Sequence, residues 1–383
     1  MSWDTVRLGD IASFSNGINF DKTAYSHGVK LIGVSDFSNR FFPDIANLRE
    51  VKKEVVRDSD LLKEGDIVFV RSNGNKELVG RCMLINHITQ PITFSGFVIR
   101  GRILDTEKYD QVYFTYHFKN IAFRRAMSGT AVGANIQNLS QGILSAYVAK
   151  IPDIDTQHKI ANYLSSYDSL IENNQRQIKL LEEAARRLYK EWFVDLRFPG
   201  YEDTPIVDGV PEGWEKVGLA SIAPIVTGKK DANFGTPDGK YLFFTCAQEP
   251  IRAPSYSFDC NAVILAGNGD FNVKLYRGQF EAYQRTYVFS PNETKHLYLL
   301  YHAVRESMRQ LFQGASGSTI KFLTKHMLED ITVFVPDKDT LNAFKNVCDA
   351  IQKKIECLKA QIMYSQESRD RLLPKLMSGE IEV

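Results

Sequence analysis

Hydrophobic and polar positions along the chain follow two regimes, and the pair of regimes occurs twice. Short β-branched and aromatic runs bounded by Gly, Asn and Asp come first: Lys30-Leu31-Ile32-Gly33-Val34 and Asp66-Ile67-Val68-Phe69-Val70-Arg71. Their counterparts are Tyr241-Leu242-Phe243-Phe244 and Ala262-Val263-Ile264-Leu265-Ala266. Such runs predict strands. A short helix is predicted around 110–127 and again around 295–312. A turn rich in Gly, Ser and Thr follows, Ser128 to Asn135 and Gly314 to Lys321, then a strand closing at Pro152 or Pro336. Beyond each proline the period becomes helical. Residues 156–194 contain neither Gly nor Pro, and apolar side chains fall at Ile160, Tyr163, Leu164, Tyr167, Leu170, Ile171, Ile178, Leu181, Ala185 and Leu188. The second stripe is Leu341, Phe344, Val347, Cys348, Ile351, Ile355, Leu358, Ile362 and Leu372. This spacing predicts two long helices with a coiled-coil tendency. At ~1.5 Å per residue the first spans ~60 Å and needs a partner along its length. Two such helices separated by a globular domain are expected to pair antiparallel. Asp155-Thr156-Gln157 offers capping chemistry at the start of the first, and Pro374 is expected to end or kink the second.

The duplication is also literal. Trp3, Val6, Leu8, Ile11 and Gly17 recur as Trp214, Val217, Leu219, Ile222 and Gly228, all at an offset of 211. Tyr116-His117 and Gly129 recur as Tyr301-His302 and Gly314 at 185. Ile136, Leu139 and Pro152-Asp153 recur as Ile320, Leu323 and Pro336-Asp337 at 184. The falling offset makes the second copy shorter in its middle. Repeats of this size are whole domains rather than solenoid units. The stretch from Phe198-Pro199-Gly200-Tyr201 to Gly209-Val210-Pro211-Glu212-Gly213, rich in Pro, Gly and acids, reads as the linker between the copies.

Length and composition fit this organisation. The chain has 383 residues, 44% hydrophobic, so it can bury real cores and is not a disordered protein. Five cysteines, an odd number without a Cys-x-x-Cys pair, point to reduced thiols in a cytoplasmic protein. Neither a membrane-length apolar run nor a signal peptide is expected. The formal net charge is +1, so any binding to nucleic acid must come from local patches. Residues 1–150 carry 19 basic against 15 acidic side chains, 212–335 carry 13 against 12, and 151–211 carry 7 against 11. The globular parts are therefore mildly basic and the first long helix lies in an acidic stretch.

Three further runs carry a family resemblance. Leu181-Glu182-Glu183-Ala184-Ala185-Arg186-Arg187-Leu188-Tyr189-Lys190-Glu191-Trp192-Phe193 resembles the end of the central spacer of the specificity subunit of type I restriction–modification systems. Phe198-Pro199-Gly200-Tyr201 with Pro211-Glu212-Gly213-Trp214 resembles that family's join to its second recognition domain, and Arg371-Leu372-Leu373-Pro374-Lys375-Leu376-Met377-Ser378-Gly379 its C-terminal signature. The resemblance implies an α+β chain in which two similar target recognition domains are separated by two long helices pairing as an antiparallel coiled coil. The first recognition domain would cover 1–152, the first spacer helix 153–197, the linker and second recognition domain 198–336, and the second helix and tail 337–383. It also implies a DNA-reading subunit without catalysis of its own, each domain reading one half of a bipartite target in double-stranded DNA. Two methyltransferase subunits and motor–nuclease subunits would be its partners. No cofactor would sit in this chain; S-adenosylmethionine, ATP and Mg would belong to those partners.

Base reading needs donor and acceptor forks. The polar loops after the central strands supply Arg71, Asn73, Asn75 and Lys76 in copy one and Asn268, Asn272 and Lys274 in copy two. As plain sequence they are also hairpin turns, and the two readings are compatible. The Gly-Ser-Thr turns add Thr130, Asn135, Ser318 and Lys321, with Arg124 and Arg125 beside the first, as phosphate contacts. The rival readings are a coiled-coil scaffold whose domains bind protein, and a methyltransferase or nuclease in its own right. The sequence has no Asn-Pro-Pro-Tyr, no Gly-x4-Gly-Lys-Ser/Thr and no His-x-His pair. Pro43-Asp44 with Glu50-Val51-Lys52 resembles a nuclease metal triad only superficially.

Overall fold

A computed structural model describes residues 3–37, 40–72, 78–129, 138–269, 271–315, 317 and 321–383. The chain forms two compact units, residues 1–175 with 359–383 and residues 176–358. Each unit holds one globular copy together with parts of both long helices.

Each copy is closed by its own ends. Asp4–Arg7 pairs antiparallel with Val148–Ile151, and Glu215–Gly218 with Thr332–Val335. The register is shared: Asp4 faces Ile151 as Glu215 faces Val335. The repeated motif is used throughout this corner. Leu8 and Leu219 are fully buried at the start of the short helices Leu8–Ile11 and Leu219–Ile222. The closing glycine lies against a neighbouring strand end. A Cβ on Gly17 would stand 2.2 Å from the Phe94 carbonyl oxygen, and one on Gly228 2.1 Å from that of Ala282. Gly228→Ala is therefore expected to destabilise the second unit by about 1–3 kcal/mol through overpacking. Urea unfolding checks this, and a change below about 0.5 kcal/mol would contradict it.

Copy two builds one six-stranded sheet in the order Ile225–Thr227, Thr286–Phe289, Phe258–Ala266, Val273–Ala282, Tyr241–Phe244, Ile251–Ala253. Copy one keeps the order but divides it. Ala12–Asn16, Val98–Ile103, Ile67–Val70 and Cys82–Leu84 form one sheet; Ile92–Phe94, Tyr25–Ile32 and Arg49–Val51 form another. The long strand Val273–Ala282 pairs antiparallel with the central strand and parallel with Tyr241–Phe244. Copy one assigns those two pairings to separate strands, Cys82–Leu84 and Ile92–Phe94. Ile67–Val70 is buried at every position, as is the second half of Phe258–Ala266, from Ala262 to Ala266.

The predicted short helix is single in copy two, Leu297–Gly314, but double in copy one, Gln111–Lys119 and Ile121–Gly129. Asn120 causes the break. Its backbone is extended, and its side-chain oxygen accepts from the Ala122 N–H at 3.1 Å, starting the next helix. The repeat offset puts Arg305, a good helix former, at that position in copy two. Two helices that hydropathy had not shown, Gln141–Ala146 and Lys325–Glu329, begin at Ser140 and Thr324, whose hydroxyls accept from Ile143 and Met327 N–H groups.

The long helices are Ile154–Phe193 and Lys338–Ser378. Their caps lie earlier than expected, at the aspartate of the repeated Pro-Asp pair: Asp153 Oδ1 accepts from Thr156 N–H and Asp337 Oδ1 from Thr340 N–H, both at 2.9 Å. Pro374 does not end the second helix, which continues to Ser378. A proline this near a C-terminus removes one helical hydrogen bond, and the burial of Leu373, Leu376 and Met377 in the core of the first unit holds the last turn. Within that unit the helices run antiparallel: Asp168 meets Arg369 and Asn174 Nδ2 donates to Gln361 at 3.2 Å. Within the second, Tyr189, Trp192 and Phe193 surround Phe344. Most stripe residues are covered, but Tyr163, Leu170 and Val347 are exposed.

The linker is ordered. Phe198 packs against Trp214 with ring centroids 4.4 Å apart and the planes tilted by 39°, and Ile206–Val207 forms a hairpin with Val210–Pro211. Its two turn residues, Asp208 and Gly209, both have positive φ, the geometry that Asp-Gly favours. All five cysteines are free, and among the described residues no helix is long and apolar enough to cross a membrane.

Candidate nucleic-acid interface

In each copy the residues that open the central polar loop pair with those that follow the Gly-Ser-Thr turn, in the same way twice. In copy one the start of the loop after Ile67–Val70 meets the residues beyond the Gly-Ser-Thr turn: Ser72 pairs with Asn138, and Leu139 N–H donates to the Arg71 carbonyl at 2.9 Å. In copy two Asn268 pairs with Phe322, and Leu323 N–H donates to the Gly267 carbonyl at 2.8 Å. Leu139 and Leu323 are both buried, so each anchors its loop to the core below. Both loops join adjacent antiparallel strands, over residues 71–81 and 267–272, so they are longer connections than a two-residue Asn-Gly turn.

The individual candidates divide. Asn73, Asn75, Lys76, Thr130, Asn135 and Ser318 lie outside the described residues. The Arg71 guanidinium donates to the Gly96 carbonyl at 3.1 Å and so braces the neighbouring turn. Asn272 and Lys274 are drawn inward. Asn272 Nδ2 donates to the Cys246 carbonyl at 3.1 Å, Lys274 Nζ donates to that of Ala247 at 2.9 Å, and the two side chains bond each other. Burial pushes the Lys274 ammonium below its usual range, so this pair clamps the 246–247 segment. Lys321 Nζ donates to the Phe312 carbonyl at 3.1 Å and lies over the Phe312 ring, at the C-terminal end of Leu297–Gly314, where a cation is favoured. Arg125 is exposed, whereas Arg124 is half buried beside the turn at Gly80.

Sequence reasoning missed a third element of this surface. The turn Ser95-Gly96-Phe97 lies next to Arg71, and Tyr283-Gln284-Arg285 next to Gly267. In copy two the place beside Gly267 carries no side chain, and a polar cleft of about 350 Å³ opens there, lined by Gly267, Gln284, Arg285, Tyr287 and Leu323. No sequence signal marks these turns as equivalent, because their residues differ at every position.

The nuclease-like residues do not form one site. Glu50 pairs with Lys30 at 2.9 Å and accepts from Gly28 N–H, bonds that hold its carboxyl down at about 2. Asp44 accepts instead from Arg40 and Asn47. Among the described residues no three His, Cys, Asp or Glu side chains cluster as metal ligands.

The model of the family described as type I restriction modification DNA specificity domain matches residues 1–183 and again 211–359. The chain belongs to this family. Its two matches coincide with the two copies, and each includes much of the long helix that follows. Among relatives, the EcoDI type I restriction enzyme specificity subunit of Escherichia coli is 36% identical over 176 residues, 45% of this chain and 39% of that protein. The MjaIX specificity subunit of Methanocaldococcus jannaschii is 25% identical over 100% of this chain and 94% of its own length. The chain thus spans about two fifths of the first relative and nearly all of the second. The crystal structure of the type I S subunit from M. genitalium has the same fold, with a TM-score of 0.56 at 14% identity, covering 98% of this chain and 96% of that one. In this specificity-family chain the repeated Trp residues pack on the runs that carried the resemblance in sequence. Trp3 lies over Gly379 of the C-terminal run, and Trp214 packs on Phe193 and Phe198 of the central runs.

Proposed function

We propose that this chain is the non-catalytic DNA-reading subunit of a type I restriction–modification assembly. Each globular copy reads one half of a bipartite target in double-stranded DNA. The observation that carries the reading is that, in both copies of a family-matched chain, the start of the central polar loop pairs with the residues after the Gly-Ser-Thr turn, on the same buried leucine. Divergence in the middles supports different half-sites. The two ~60 Å helices set the separation of the half-sites, and exposed Tyr163, Leu170, Met363 and Tyr364 offer apolar contacts to two docked methyltransferase subunits. Motor–nuclease subunits join through these. S-adenosylmethionine, ATP and Mg serve the partners, and the assembly works in the cytoplasm.

Exchanging residues 1–152 for the first recognition domain of another family member tests the division of labour. The genomic methylation motif in cells carrying the hybrid is expected to change in one half only. Change in both halves would contradict independent reading. Absence of any methylation that depends on the intact chain would contradict the function itself.

A further inference from the structure

The turns at 95–97 and 283–285 are the same device. In copy one Val98 N–H donates to the Ser95 carbonyl, Gly96 N–H to that of Ile18, and Arg71 N–H to that of Phe97, at 2.8, 2.7 and 2.8 Å. In copy two Thr286 N–H donates to Tyr283, Gln284 N–H to Lys230, and Gly267 N–H to Arg285, at 2.8, 3.0 and 2.8 Å. The motif glycine completes each set, Gly17 N–H donating to Val98 and Gly228 N–H to Thr286. Each turn is therefore pinned on one side by the motif strand and on the other by the first polar loop. Rigid backbone of this kind presents a side chain in one place, which a base-reading group requires.

The pinned backbone is constant while the tip changes. Copy one presents Phe97, 61% exposed, on a surface where an apolar ring gains nothing from folding. Copy two presents Arg285, exposed, its guanidinium making no hydrogen bond or ion pair among the described residues. The Gln284 amide beside it donates to Asp231 at 2.8 Å, leaving Arg285 as the donor fork of this turn. An arginine fork matches the O6 and N7 acceptors of guanine, and an apolar side chain matches the methyl group of thymine.

We infer that these turns determine specificity: Arg285 reads a guanine in the half-site of copy two, and Phe97 reads a thymine methyl in that of copy one. The inference rests on the DNA-reading function proposed above. It extends that function to residues that the two polar loops do not contain, and it explains how one scaffold reads two sequences.

The test uses the chain assembled with its methyltransferase partner and duplexes built on the methylation motif of the wild-type assembly, each with one base pair changed. Arg285→Ala is expected to lose about 5- to 150-fold of discrimination at one G·C pair of one half-site. Phe97→Ala is expected to relax one A·T pair of the other half-site. Arg285→Lys keeps the charge but not the fork, so it should lose the same discrimination while the salt dependence of binding is unchanged. Both side chains are exposed, and an unshifted thermal midpoint checks that the variants fold. Uniform weakening on every duplex with a shallower salt dependence would make Arg285 a phosphate contact and overturn the inference. Unchanged discrimination in all three variants would also overturn it. A wild-type assembly that fails to discriminate any duplex would instead overturn the function on which the inference rests.

Discussion

Asp168→Ala is expected to lower the stability of the first unit by about 3–5 kcal/mol. Asp168 and Arg369 are both buried, on different long helices, and their carboxylate and guanidinium are in contact. The Tyr116 hydroxyl of the globular copy donates to the same carboxylate, and burial, with Asp168 beside it, pushes that phenol far above its usual range. One aspartate thus ties the recognition domain to both helices. Its removal leaves the buried Arg369 guanidinium with Asp370 alone, which accepts from its Nε and Nη2 at 2.9 and 2.7 Å, and leaves the Tyr116 hydroxyl without its acceptor. The remaining Asp370 pair places the loss at the lower end of that range. Glu183 is the control on the same helix. It pairs with Arg186 and Arg187 at 3.1 and 2.8 Å in an exposed setting, and such pairs contribute under about 1 kcal/mol. Urea unfolding of the two variants reads the difference, and equal losses would sink the argument.

The second large effect is acid sensitivity. His117 and His302 occupy the same repeat position, and burial pushes them down to about 4 and about 3. His302 is stacked on Tyr189 with ring centroids 5.6 Å apart. In the unfolded chain both take up protons near pH 6.5. The unfolded state therefore binds more protons between about pH 6.5 and 4, and stability rises with pH across that window. The stabilisation is complete above pH 6.5. The loss is about 2 kcal/mol per histidine at pH 5 and about 3 kcal/mol at pH 4. The carboxylates that capping holds low, Asp153 and Asp337 among them, lose their protection only at lower pH. Urea midpoints at pH 7 and pH 5 read the histidines, including His296, whose imidazole is also held below its usual range by burial. A His117→Phe, His302→Phe double variant should remove most of the difference, and a wild-type slope in that variant would reject their role.

The duplication, the strand-then-helix order and both long helices were legible, because they rest on period and on exact spacing. Gly17 and Gly228 could be matched from sequence, but their reason could not. Only the fold shows the carbonyls of Phe94 and Ala282 where a Cβ would stand. The break at Asn120 was written in one residue type, a capping side chain where the repeat offset places an arginine in the other copy, yet the hydropathy on both sides is continuous. The loops at 71 and 267 were legible as polar, but nothing in residue type shows that Asn272 and Lys274 spend their donors within the chain. Their inward turn depends on the carbonyls of Cys246 and Ala247, which are distant in the chain. The turns at 95–97 and 283–285 were invisible because what repeats there is backbone hydrogen bonding, which leaves no mark on residue type.

The closing strand pairs have a consequence for synthesis. Asp4–Arg7 cannot close its domain until Val148–Ile151 has been made, so copy one stays open through most of its translation. Because the register is shared, Thr332–Val335 is a geometrically acceptable wrong partner for that waiting strand. The order of emergence from the ribosome separates the two. The correct partner arrives first, and copy one can close before the competing strand exists. Refolding from denaturant removes that order, so the full-length chain should refold from urea with a lower yield of native protein than synthesis provides.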